Sequence, residues 1–168
     1  MGDYCTVCGS RLEDRFLETE GRDIPFCPTC QQYRFPMFNT AVSMIVMNES
    51  KDKIVLIKQY NKDRFILGAG YVNHGENVES AVIREVKEEM GLTVSSMEFN
   101  KSEYYEPSNT LMINFAVTVT DECVHENEEI DSYEWFTISK ARDNIYSGSL
   151  AERFLLHYLD QKNKENCN

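Results

Sequence analysis

Residues 70–92 read Gly-Tyr-Val-Asn-His-Gly-Glu-Asn-Val-Glu-Ser-Ala-Val-Ile-Arg-Glu-Val-Lys-Glu-Glu-Met-Gly-Leu. From Asn77 onward the spacing predicts a helix. Asn77 can cap its start, Val78, Val82, Val86 and Met90 recur every fourth position as one apolar stripe, and Gly91 ends it. Glu85, Glu88 and Glu89 stand at i, i+3 and i+4, which puts three carboxylates on one helical face. Like charges at that spacing cost about 0.2–0.5 kcal/mol per pair. A divalent cation reverses the penalty, because magnesium and manganese prefer hard oxygen ligands. Arg84 is placed to reach back to Glu76 or to brace one of those carboxylates. A solvated acidic face is the bland alternative for such a run.

Strand-like runs precede this helix at Val42–Met47 and Lys53–Ile57, around a polar turn at 48–52. The glycine-rich stretch Leu67–Val72 reads as a strand and loop. After the helix come strand-like runs at Val94–Phe99, Leu111–Thr118 and Tyr133–Phe136. Ser149 can cap a last helix, Leu150–Leu159, before a polar tail at 162–168. Strands bracketing one helix, with another at the end, predict an α/β sandwich with a mixed sheet.

The N-terminal stretch is organised differently. Cys5-Thr-Val-Cys8 and Cys27-Pro-Thr-Cys30 enclose eighteen residues, a spacing suited to a tetrahedral zinc site. Gly9 and Pro28 supply the turns that aim each pair of sulfurs at one point. Four thiolates leave zinc no open position, so the site reads as structural. Two disulfides or a CxxC redox centre are the rival readings; nothing suggests export, and redox chemistry needs only one CxxC. Cys123, in an apparent strand, and Cys167, in the polar tail, read as ordinary small side chains. Pro36 marks the linker, which gives a ribbon over 1–36, a main domain over 37–161 and the tail.

Composition narrows the class. Apolar residues make up 42% and charged residues 27%, which excludes a disordered or fibrous chain. No apolar run is long enough to span a membrane, and Asp3, Glu13 and Asp14 fall where a signal peptide needs apolar residues. A cytoplasmic location is expected, without a membrane partner. With 17 basic and 28 acidic residues the formal charge is −11, a field that repels nucleic acid, so no nucleic-acid partner is expected. The ribbon is itself net acidic, with Arg11, Arg15 and Arg22 against six acids.

Gly70, Glu76, Arg84, Glu85, Val86, Glu88, Glu89, Gly91 and Leu92 together match Gly-x5-Glu-x7-Arg-Glu-U-x-Glu-Glu-x-Gly-U, where U is aliphatic. This resembles the signature of the Nudix hydrolases, which cleave a nucleoside diphosphate linked to another group. The resemblance implies an α/β/α sandwich, catalytic magnesium or manganese, and a small nucleotide substrate. By position, Glu85 and Glu89 look like the principal metal ligands, Glu88 a supporting one, and Ala69 or Gly70 the source of a backbone carbonyl ligand. Arg84 joins the catalytic set as a brace, while Glu76 and Gly91 hold the box together. A four-cysteine ribbon before such a box resembles the NADH pyrophosphatase subfamily, whose typical dimers make a homodimer an expected assembly. The stretch Glu129-Ile-Asp-Ser-Tyr-Glu-Trp-Phe136 is similar to its Glu-Ile…Trp-Phe segment, which favours Glu129, beside Glu128, as additional ligand or base.

The specificity segment departs from that subfamily. Where it carries Ser-Gln-Pro-Trp-Pro-Phe-Pro-x-Ser, this chain has Ser102-Glu-Tyr-Tyr-Glu-Pro-Ser-Asn-Thr110. Tyr104 and Tyr105 are candidate platforms for a base, or else plain core. Glu103 and Glu106 bring negative charge toward an anionic substrate. NAD(H) or ADP-ribose is the expected substrate. The alternatives are an ADP-sugar, FAD or nucleoside triphosphate, or a non-catalytic nucleotide sensor. His74, His125 and His157 read as surface or boundary residues.

Overall fold

The computed structural model describes residues 3–125 and 130–165. The chain divides into two compact units, Met1–Phe38 and Asn39–Asn168.

In the first unit β1 (Glu13–Leu17), β2 (Arg22–Cys27) and β3 (Gln32–Tyr33) form an antiparallel sheet in that order. Its apolar core is small: Ile24, Phe26 and the sulfurs of Cys5 and Cys27 are buried. So little burial needs a staple. All four cysteine sulfurs lie within 4.8 Å of one another and none is in a disulfide. Cys5 and Cys30 approach to 4.0 Å, Cys8 and Cys27 to 3.5 Å. Sulfurs held 2.3 Å from a tetrahedral zinc stand about 3.8 Å apart, so the donor set fits that ion. Gly9 makes the turn with φ +72°. Arg34 Nε donates to Cys5 Sγ at 3.2 Å and holds that thiol down, at about 5.

The second unit is a mixed six-stranded sheet between helices. Its strands are β4 (Asn39–Met47), β5 (Lys53–Lys58), β6 (Gly68–Tyr71), β7 (Val94–Tyr105), β8 (Thr110–Val119) and β9 (Ser132–Thr137). The order is β7-β8-β4-β5-β9, with β6 antiparallel to the first half of β4 and β8 parallel to all of it. Period-two alternation gives β4 two buried faces. Val42, Met44 and Val46 join the stripe of α1 (Val78–Met90), while Ile45 and Met47 pack with α2 (Ile138–Asn144) and α3 (Leu150–Glu165). The bulge between Phe99 and Lys101 frees Asn100 to bond Asn114 and the Phe154 carbonyl, which ties β7 to α3.

Several expectations shift. The strand from Val94 runs on to Tyr105, and the last helix runs through Lys162 and Lys164 to Glu165, inside the stretch read as tail. Helix α2 was not anticipated: seven residues burying only Ala141 leave too short a periodic signal. Cys123 is not in a strand but exposed in the loop after β8, where Asp121 accepts its N–H. Cys167 lies outside the described residues.

Helix α1 starts as expected, with the Asn77 side chain accepting from Ser80 N at 2.7 Å, and stops at Gly91, φ +71°. A clamp holds it to the preceding loop. Glu76 accepts from Arg84 Nε at 2.9 Å, from Arg84 Nη2 at 2.8 Å and from Asn73 N at 3.0 Å. The Arg84 guanidinium holds the Glu76 carboxyl down from 4.5 to about 2.

Two predictions follow from these units. Protein isolated without chelator should carry one zinc per chain by elemental analysis, and zinc-free protein with the four cysteines oxidised would overturn the ribbon assignment. The Glu76 clamp should be complete above pH 4.5 and lost as pH falls toward about 2, because the folded value is the lower one. Thermal melts across that window should show a shallower acid-side fall for Glu76→Gln than for the parent. Equal slopes would remove the clamp.

Candidate functional site

The site begins with an unusually close approach of backbone to side chain. A Cβ added at Gly70 would stand 1.9 Å from the carboxyl carbon of Glu85. One added at Gly68 would stand 2.8 Å from Glu89 Oε2 and from the Met90 methyl. These two glycines alternate along β6, so both point at α1 and let the strand lie against its carboxylates. Glu85 and Glu89 are consequently buried, at 9% and 2% exposure. They line a cleft of about 360 Å³ together with Ala69, Gly70 and Tyr71 of β6. Ala41 of β4, Tyr60 of the β5–β6 loop, and Ser108, Thr110 and Met112 before and within β8 complete it.

Arg84 organises the carboxylates without lining the cleft. Its Nη1 donates to Glu85 Oε1 at 2.6 Å and to Glu88 Oε2 at 3.0 Å, while Nη2 also reaches the Tyr71 carbonyl at 2.9 Å. Glu88 is thereby drawn outward, its side chain 61% exposed. Gln59, itself buried, donates to Glu89 Oε1 at 3.4 Å. Among the described residues the four cysteines are the one acidic or thiol group of three or more whose ligand atoms lie within 4.8 Å. The helix therefore offers a pair, Glu85 and Glu89, with Glu88 apart. Two buried carboxylates beside the Ala69–Gly70 backbone are an all-oxygen donor set, and they fit a magnesium or manganese ion.

Other candidates fall elsewhere. Tyr104 and Tyr105 do not line the cleft; both are exposed on β7, so neither is core, and the Tyr104 hydroxyl bonds Asn109 Oδ1 at 2.7 Å. Glu103 is neutralised by Arg153, at 2.5 Å and 2.9 Å, and this pairing lowers its pKa. Glu128 and Glu129 lie outside the described residues. His74 and His125 are exposed and His157 half-buried; His125 packs against Gly91 and donates its N–H to Met90. Sequence reasoning missed Gln59 and Tyr60, and within the specificity segment it picked Tyr104 and Tyr105 where Ser108 and Thr110, with Met112 just beyond, line the cleft. Only Asn61, a residue tolerant of left-handed backbone, hinted at the Tyr60 turn.

The pattern described as the NUDIX domain matches residues 37–155. The NAD-capped RNA hydrolase NudC of Pseudomonas aeruginosa is 30% identical over 165 residues, covering 95% of this chain and 56% of that protein. Its namesake in Stutzerimonas stutzeri is 33% identical with the same coverage. The chain thus spans little more than half the length of these curated relatives. Their names include an RNA, a partner class that the charge argument set aside. A crystal structure of a NUDIX hydrolase from Nitrosomonas europaea shares the fold, with a TM-score of 0.65 at 18% identity over 97% of this chain and 93% of that one. The complete box, the sandwich that presents it and a match over most of the chain lead to one assignment: the protein belongs to the NUDIX domain family.

Proposed function

We propose that this chain is a metal-dependent pyrophosphohydrolase of NAD-related nucleotides, cleaving the diphosphate of NAD(H), ADP-ribose or an NAD-type cap on RNA. The observation that carries the reading is the pair of buried carboxylates, Glu85 and Glu89, pressed against a glycine-built strand at the base of an open cleft. Water attacks one phosphorus, the bridging P–O bond breaks, and two phosphate monoesters leave, one of them AMP for an adenine dinucleotide. Glu85 and Glu89 would hold the magnesium or manganese ion. When bound, that ion supplies charge neutralisation on the phosphate oxygens and activation of the attacking water.

The remaining residues position. Arg84 fixes Glu85 by a hydrogen bond and is itself fixed by Glu76, so the carboxylate meets its ligand with little freedom left to lose. Gln59 orients Glu89 from the opposite side. Glu129 keeps, within this proposal, the role of base or additional ligand given by its sequence context. The names of the relatives, NAD-capped RNA hydrolases, support including an NAD-capped 5′ end among the substrates.

A panel of NAD(H), ADP-ribose, an NAD-capped RNA, an ADP-sugar, FAD and a nucleoside triphosphate, with magnesium or manganese, tests the reading by release of the two products expected from each. NAD(H), ADP-ribose or the capped RNA should be cleaved fastest; no cleavage of any of the three would sink it. Glu89→Gln should lower kcat about 10²–10³-fold, the scale of losing one preorganised electrostatic contact, with an unchanged melting temperature. Glu79→Gln, on the exposed first turn of α1, should remain near the parent. Equal activity in the two variants removes the metal-helix assignment. Gly70→Ala should cost about 100-fold in kcat, because its methyl must displace the Glu85 carboxylate.

A further inference from the structure

We propose that Tyr60 is the stacking surface for an aromatic ring of the nucleotide, adenine or pyridine, and that Asp131 is the positioning residue that holds it there. The inference rests on the reading of the cleft given above and adds a residue to it. Tyr60 and Asn61 are consecutive left-handed residues, with φ +59° and +53°. Asparagine tolerates that region; for a bulky aromatic it is an outlier. Such a conformation persists only where surrounding structure dictates it, and the surroundings here do so. Asp131 Oδ2 accepts the Asn61 N–H at 2.6 Å, and the Asp131 N–H is in turn held by the Lys58 carbonyl at 2.9 Å. Lys62 N bonds the Gln59 carbonyl at 3.2 Å, and Ile57 and Ile66 exchange both backbone hydrogen bonds across the neck of the loop. Gln59 is anchored inward on Glu89.

The ring that this framework carries serves no core. Tyr60 is 71% exposed, yet it lines the same cleft as Glu85 and Glu89. A glycine would take the same backbone without strain and leave the fold the more stable. A tyrosine there is therefore costly to folding and presents a flat apolar face beside the carboxylates. A nucleotide bound by its diphosphate carries an aromatic ring that fits such a face.

The test compares KM, kcat and melting temperature for Tyr60→Gly, Tyr60→Phe, Asp131→Ala and the Tyr60→Gly/Asp131→Ala pair on the best substrate of the panel. Tyr60→Gly should raise KM about tenfold, the lower part of the stacking range, with kcat within about twofold. Its melting temperature should rise by about 2–4 °C, the opposite of what loss of a structural residue does. Tyr60→Phe keeps the ring and should keep KM within about twofold. Asp131→Ala should raise KM in the same direction and add nothing to Tyr60→Gly, since it acts through that ring. An unchanged KM in Tyr60→Gly overturns the stacking role, and additivity in the pair overturns the part given to Asp131. If the parent cleaves no nucleotide, this inference falls with the reading it rests on; if the parent is active and Tyr60→Gly matches it, only this inference falls.

Discussion

Everything around the cleft follows from the contact between the β6 backbone and two glutamates of α1. Carboxylates are costly to bury unless hydrogen-bonded or paired. Here they are buried because Gly68 and Gly70 let the strand lie so close to the helix that neither glycine has room for a methyl group. Arg84 offsets part of the cost by bonding Glu76, Glu85 and Glu88 at once. One guanidinium against three carboxylates leaves the cluster negative, with Glu89 further along the helix. In the proposed reading a divalent cation would balance the charge that this arrangement leaves.

The sheet gives this contact its rigidity. Strand β4 runs parallel to β8 over nine residue pairs and takes β6 on its other edge, which fixes β6 in the sheet independently of its contact with α1. Buried Asn114 bonds the Ser43 carbonyl and hydroxyl, which ties β8 to β4 by side chain as well as backbone. Cleft residues come from β4, the β5–β6 loop, β6, α1, the 3-10 turn Glu106–Ser108 and β8, and five of those six sources are regular elements. Sites built on such elements keep their geometry better than sites built on loops. The exception, Tyr60, sits on a loop tethered at both ends.

Legibility in the sequence followed the range of the interaction concerned. The α1 stripe, its Asn77 cap and its Gly91 stop are local, and the structure places each where the spacing predicts. The convergence of four sulfurs was readable because two short motifs, each fixed by its own turn, needed only one ribbon to meet. What could not be read were contacts between distant segments. Nothing in a periodicity says that Gln59 will face Glu89 thirty residues on, or that Asp131 will hold Asn61. The tyrosines at 104 and 105 drew notice because they stand in a segment with a family counterpart, whereas Tyr60 enters the cleft through a backbone conformation that tyrosine rarely takes. Helix α2 went unseen because tertiary packing around Ala141, not propensity or a side-chain cap, forms it.

Charge supplies the last step. The chain is strongly acidic, and several of its cations are committed: Arg84 to the box, Arg153 to Glu103, Lys53 to Glu122, Arg142 to Asp160 and Lys162 to Glu98 and Glu165. The described residues lining the cleft include two glutamates and neither lysine nor arginine. A diphosphate entering such a cleft meets like charge, and coulombic repulsion between partly buried groups is only weakly screened by salt. Attraction must come from a charge that the side chains do not provide. In the proposed reading a divalent cation therefore acts twice, cancelling the repulsion between Glu85 and Glu89 and giving the substrate its reason to bind. Affinity for the nucleotide and affinity for the metal are then linked quantities, each raising the other by the same factor.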